Sequence, residues 1–221
     1  MKKCQLLWIG MVMLLAGCTS TSNMALKTLH DSVFSAPDVV MTDQQIAQLT
    51  YAASYMRMGD APQAFVVLAK AEGHDRLWLS EEKEAVVTRF GHIVRTDGLS
   101  PVNIEAVRFV KGDPLEKGLV SLKQRNYQAN GLISSMPDYQ FDLPFSADYQ
   151  VKGSVPVVIA NKTQNLTQVD EHYSIPALDF SVVNHYWLND RGVVFKSQQQ
   201  LLPTLPMITI TTLKPYIQDL Q

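Results

Sequence analysis

From residue 50 to the C-terminus, apolar residues recur at every second position in short runs, and turn-forming residues separate the runs at close intervals. That period suits strands and excludes long amphipathic helices, whose buried residues fall three or four apart. Tyr51, Ala53 and Tyr55 alternate with smaller residues before the turn cluster 59–62 (GDAP). Residues 65–68 (FVVL), 76–80 (RLWLS) and 85–90 (AVVTRF) follow, and Gly91 breaks the last run before Ile93 and Val94. Later, 155–160 (VPVVIA) is ended by 161–165 (NKTQN), 166–173 resumes, and 178–188 alternates through Phe180, Val182 and Tyr186. A hairpin turn at 189–192 (NDRG) leads into 193–196, and 207–213 (MITITTL) is the last period-two run. The pattern predicts a mainly β fold: an extensive antiparallel sheet, either one curled sheet or two packed ones, with a few short N-terminal helices.

The helices are expected at two places. Leu26, Leu29 and Val33 have helical spacing within 25–34, and Pro37 ends that segment. Thr42 and Gln45 form a capping box that starts a second helix at Asp43. In the middle, Gly112-Asp113-Pro114 and Asn130-Gly131 read as turns, 115–127 fits helix and strand equally, and a subdomain seam near 112–136 stays open.

The N-terminus sets location. Lys2 and Lys3 precede the apolar run 6–16, and Leu15-Ala16-Gly17-Cys18 is a lipobox. The run is far shorter than the roughly 20 apolar residues of a spanning helix. It therefore reads as a signal peptide over 1–17, cleaved before Cys18, whose thiol takes a diacylglycerol and whose freed amine usually takes a third acyl chain such as palmitate. Several acyl chains hold a protein far more firmly than one. Thr19 follows the lipidated cysteine, where aspartate is the usual enterobacterial signal for inner-membrane retention, so the expected address is the periplasmic face of the outer membrane. Residues 18–25 are then a lipidated flexible tether and 26–221 the periplasmic globular domain.

Removing 1–17 takes away two lysines and no acid, so the formal net charge moves from −2 to −4. Nothing in that balance attracts nucleic acid. The other cysteine, Cys4, lies in the signal, so no disulfide is expected. The five histidines have no zinc-type spacing, and neither a metal nor a cofactor beyond the lipid on Cys18 is expected. The chain has no G-x-S-x-G elbow, Walker loop or G-x-G-x-x-G turn. Ser80-Glu81-Glu82-Lys83 matches S-x-x-K, and Lys162-Thr163-Gln164 approaches K-T-G. Ser80, however, ends a strand and Lys83 sits in a charged turn, and no S-D-N element is present. No catalytic residue is assigned. Tyr51, Tyr55, Trp78, Tyr186 and Trp187, with Arg95, are candidate contacts to a glycan or partner, since ring faces stack on pyranoses; core packing is the commoner use of such aromatics in strands.

Several segments together resemble the YjbF/GfcB (YmcC-like) family of outer-membrane lipoproteins from operons for group 4 capsule and related exopolysaccharides. They are the lipobox at Cys18, 49–54 (LTYAAS) with 57–60 (RMGD), 65–68 (FVVL), 78–80 (WLS), 91–99 (GHIVRTDGL), and the C-terminal stretch from Tyr186-Trp187 through Gly192 to Gln198. In that family an arginine often follows the glycine matching Gly91; this chain has His92, a change that leaves the strand intact but weakens any role the resemblance implies for that side chain. It implies a non-catalytic part in polysaccharide export or assembly, by docking a partner or guiding the glycan. Implied neighbours are a periplasmic protein, an outer-membrane barrel encoded nearby, and the polysaccharide itself. The alternatives are a periplasmic carrier of lipid or lipoprotein with an apolar cavity, or a polysaccharide-modifying enzyme.

Overall fold

A computed structural model describes residues 37–116 and 126–220. The lipobox, Thr19, the tether and the helix expected at 25–34 lie outside those residues. The helix expected at Asp43 is present as α1 (Asp43–Gln48): the Thr42 hydroxyl accepts from the Gln45 amide, and the Gln45 side chain reaches back to the Thr42 amide. Both bonds satisfy donors that the first helical turn leaves free.

The remainder is a sheet of twelve antiparallel strands. In the first half these are β1 (Ala53–Met58), β2 (Ala64–Glu72), β3 (Asp75–Ser80), β4 (Ala85–Arg89), β5 (His92–Asp97) and β6 (Asn103–Phe109). The second half supplies β7 (Asn126–Met136), β8 (Gln140–Ile159), β9 (Lys162–Ile175), β10 (Phe180–Leu188), β11 (Val194–Gln199) and β12 (Ile208–Lys214). Every strand pairs with its neighbour in sequence except β5 with β6, and β12 returns to pair with β1, so the order runs β5-β4-β3-β2-β1-β12-β11-β10-β9-β8-β7-β6.

The two edges of that order, β5 and β6, lie side by side, and the sheet curls into a nearly closed barrel. Side chains take the place of a backbone ladder at the seam. Thr96 Oγ1 accepts from the Ile104 amide at 2.9 Å, and Asn103 Oδ1 accepts from the Leu99 amide at 2.9 Å. One amide of β6 and one in the turn after β5 are thereby satisfied without a further strand.

Up-and-down connectivity sends successive turns to opposite ends. The turns at 73–74, 90–91, 160–161 and 189–193 share one end with the segment after β12, and those at 59–63, 81–84 and 98–102 share the other with the 200–207 connection. Alternation sets the interior. Phe145, Ala147 and Tyr149 of β8 point inward, as do Val169, Tyr173 and Ile175 of β9, with Tyr186 and Leu188 of β10. Leu201, Leu202 and Leu205 fold from the β11–β12 connection into the same core. A smaller cluster joins Val157, Ile159 and Leu166 of the β8–β9 hairpin to Trp187 and Phe195.

Two local expectations are corrected. Asn130-Gly131 is not a turn but the middle of β7, because a Cβ on Gly131 would lie 2.2 Å from Phe145 Cζ and 2.5 Å from the Arg108 carbonyl. The glycine is there to admit a neighbour, the usual meaning of glycine inside a strand. Nor does 161–165 form a long terminator. Ala160 and Asn161 alone make the turn, both at positive φ as a two-residue hairpin loop requires, and β9 begins at Lys162.

Candidate functional site

The barrel interior is crossed by a chain of polar side chains. Register puts Tyr149 of β8, Glu171 of β9 and Asn184 of β10 in one row, each directly opposite the next, so their side chains project to the same side. The Tyr149 hydroxyl donates to Glu171 Oε1. Asn184 Nδ2 and the Tyr186 hydroxyl both donate to Glu171 Oε2 at 2.9 Å. Three donors thus surround a carboxylate that is 1% exposed. Without them, burying that charge would be prohibitive.

The chain continues across the barrel to β5. His92 Nε2 lies 3.0 Å from the Tyr149 hydroxyl oxygen, whose own proton goes to Glu171. Nδ1 of the same ring faces both carboxylate oxygens of Asp113 at 2.8 and 2.9 Å. Asp113, in the loop after β6, also accepts from the Leu115 amide at 2.9 Å. On the other flank, Gln199 Oε1 accepts from the Ile93 amide at 2.9 Å, while Nε2 donates to the Gly91 carbonyl and to Ser197 Oγ. β5 is therefore tied through side chains to β8, β9, β10 and β11.

Electrostatics follow from this arrangement. Burial pulls the His92 imidazole toward its neutral form, but the charge and hydrogen bond of Asp113, with the charge of Glu171, outweigh it and raise its pKa. The Tyr149 and Tyr186 phenols are pushed well above their usual value, first by burial and then by the Glu171 charge. An imidazolium donating at both nitrogens fits the geometry. These side chains are buried and hydrogen-bonded to one another, and the chain they form ties β5 to the opposite wall of the barrel.

An accessible cavity of about 400 Å³ opens at the end of the barrel that carries the 73–74, 90–91 and 189–193 turns. Trp78, Thr88 and Ser197 reach it from the inner faces of β3, β4 and β11. The Trp78 indole N–H donates to Thr88 Oγ1 at 2.9 Å, which fixes the ring plane. Tyr216 and Asp219, after β12, close one side. Arg76 Nε lies 3.1 Å from both Asp219 carboxylate oxygens, and its guanidinium carbon sits 4.9 Å from the centre of the Tyr216 ring. Gly91, at φ +97°, is required at the rim, since a Cβ there would meet Val194 at 2.5 Å.

The candidate contact residues do not converge. Trp78 alone lines the cavity. Tyr51 is exposed ahead of β1, and Tyr55 is buried with its hydroxyl accepting from the Met41 amide at 2.6 Å. Arg95 is exposed on β5, Trp187 is half-buried with Lys196 Nζ 5.2 Å above its ring, and Tyr186 is fully buried in the interior, its hydroxyl on Glu171, so it stacks on no ligand. Ser80 ends β3 as expected, its Oγ accepting from the Glu84 amide at 3.1 Å, and Lys83 occupies the turn. Sequence reading missed His92, Tyr149 and Glu171 as a unit. The only signal was polarity at inward positions of otherwise apolar strands.

The family model described as "Group 4 capsule polysaccharide lipoprotein gfcB, YjbF" matches residues 26–213. The chain is 28% identical over 189 residues to the uncharacterized lipoprotein YjbF of Escherichia coli K12, covering 86% of this chain and 87% of that one. It is 27% identical over 202 residues to the uncharacterized lipoprotein GfcB of the same organism, covering 91% and 94%. The crystal structure of the hypothetical lipoprotein YmcC, also from E. coli K12, matches with a TM-score of 0.69 at 26% identity, over 86% of this chain and 95% of that one.

Proposed function

The chain belongs to the YjbF family of group 4 capsule polysaccharide lipoproteins, and from that premise we propose that it is a non-catalytic, outer-membrane-anchored module in the export or assembly of a capsule or related exopolysaccharide. The observation that carries this reading is the family match across almost the whole globular domain. Lipids on Cys18 hold the module at the periplasmic face, and Thr19 directs it to the outer membrane.

The interior supports a non-catalytic role. A carrier of lipid or lipoprotein needs an open apolar chamber. Here Tyr149, Tyr173 and Tyr186, each no more than 2% exposed, occupy the middle of the barrel. An enzyme brings groups of shifted pKa to its accessible cleft, whereas here His92, Tyr149 and Tyr186 are sealed in the interior and none of them lines the end cavity. What remains is a rigid β module whose surface and end cavity meet other molecules, held by a short tether at high effective concentration near an embedded export partner.

The test compares three strains: wild type, a deletion, and one secreting the domain from a signal without Cys18. The deletion is expected to lower surface polysaccharide while lipid-linked precursors are still made, and the soluble form is expected to complement poorly. Normal polysaccharide in the deletion removes the pathway assignment. Full rescue by the soluble form keeps the pathway and discards the tethered mechanism.

A further inference from the structure

The end cavity combines features that saccharides require. A pyranose presents an apolar face and a rim of hydroxyls, so its receptors pair aromatic surface with planar, fixed hydrogen-bonding groups. Here Trp78, Phe90 and Tyr216 supply the aromatic surface, while Arg76, paired with Asp219, and Thr88 supply donors and acceptors. These groups are held before any ligand arrives. Arg76 is anchored by the Gly73 carbonyl at 2.8 Å and the Asp75 carbonyl at 3.0 Å besides Asp219, and Trp78 by Thr88. Preorganisation of this kind lowers the ordering cost of binding.

Charge narrows the ligand class. The cavity lining includes Arg76, Arg191 and Lys196 with the acids Glu116 and Asp219, and His74 lies against the Phe90 ring; the register of β11 turns the Lys196 amine outward over Trp187, which leaves two arginines against two acids inside. The cationic and acidic side chains thus balance, leaving no excess positive charge to select a uronic acid or a phosphate. A volume near 400 Å³ is of small-molecule size. It takes a short glycan segment or chain end and not a long run of polymer.

Building on the capsule reading above, we infer that this cavity is a binding subsite for an uncharged saccharide segment of the exported polysaccharide. Tyr216 stacks on a sugar ring, and the Arg76–Asp219 pair hydrogen-bonds its hydroxyls. The C-terminal segment after β12 is then part of the receptor.

The experiment uses the full lipoprotein in detergent. Its probes are oligosaccharides released by mild acid from the extracellular polysaccharide of the encoding strain and divided by anion exchange into neutral and acidic pools. Titration calorimetry is expected to show the neutral pool binding with little salt dependence. Tyr216→Ala should weaken it about tenfold, as expected for loss of one good ring contact. Thr212→Phe, which fills the cavity from β12 without removing any wall, should abolish binding at an unchanged melting temperature. Binding of neither pool, of the acidic pool alone, or of the neutral pool equally by wild type and Thr212→Phe overturns the inference. Thr212→Phe on the chromosome separates the two readings. Polysaccharide lost in the deletion but normal in Thr212→Phe discards the subsite and keeps the pathway, whereas normal polysaccharide in the deletion discards the pathway.

Discussion

Replacing Glu171 tests whether the buried polar chain braces the barrel. Glu171→Ala leaves three donors without their acceptor: the Tyr149 hydroxyl, the Tyr186 hydroxyl and Asn184 Nδ2. Tyr186 retains Gln199 Oε1 at 3.2 Å, so two donors lose the bond outright. At about 1–3 kcal/mol for each buried unsatisfied group, the loss is roughly 2–6 kcal/mol, and the space vacated by the side chain adds to it. Glu171→Gln keeps one acceptor oxygen but turns an NH₂ toward a donor, so its cost should be about 1–3 kcal/mol. Urea unfolding followed by tryptophan fluorescence measures both, with the midpoint falling in the order wild type, Gln, Ala and the slope unchanged. A loss below about 1 kcal/mol for Glu171→Ala would refute the reasoning, since the three bonds would then contribute nothing net.

Three further outcomes follow from the same interior. Because the His92 pKa is raised in the folded state, its protonation contributes stability that is complete below about 6.5 and is lost as pH rises through the folded value. Urea midpoints between pH 5.5 and 9 should therefore fall with rising pH, and His92→Gln should flatten that dependence. Gly131→Ala places a methyl group 2.2 Å from Phe145 and 2.5 Å from a backbone carbonyl, and should destabilise by about 1–3 kcal/mol or more; an unchanged melting temperature would show that the strands separate freely. The Tyr173 hydroxyl is buried without a hydrogen-bond partner among the described residues, so Tyr173→Phe should leave stability unchanged or raise it, and a loss above about 1 kcal/mol in chemical denaturation would reveal an overlooked partner.

The parts of the fold legible in the sequence are those decided by neighbours along the chain. Alternation in 76–80 and 180–188 marks β3 and β10 because a pleated strand presents every second side chain to one face, whatever it packs against. The capping box at Thr42 and Gln45 is likewise complete within four residues. The lipobox is also a contiguous signal, though it lies outside the described residues, and the resemblance to the capsule lipoprotein family, carried by several short segments together, is upheld by the family match over 26–213. Tertiary structure decided whatever depends on partners distant in sequence. Asn130-Gly131 has the composition of a turn, yet β6 and Phe145 hold it in a strand, because packing overrides a local preference worth about 1 kcal/mol. His92 meets a tyrosine 57 residues away, and that tyrosine meets a glutamate a further 22 along. Residue type shows that each is polar, but only strand register, which sets Tyr149 opposite Glu171, and barrel closure, which brings His92 to them, join the three in one buried chain. The end cavity has the same origin: Trp78 and Thr88 come from one hairpin, and Asp219 lies 143 residues beyond Arg76, so the pocket exists only once β12 has returned to β1 and carried the C-terminal segment across the mouth.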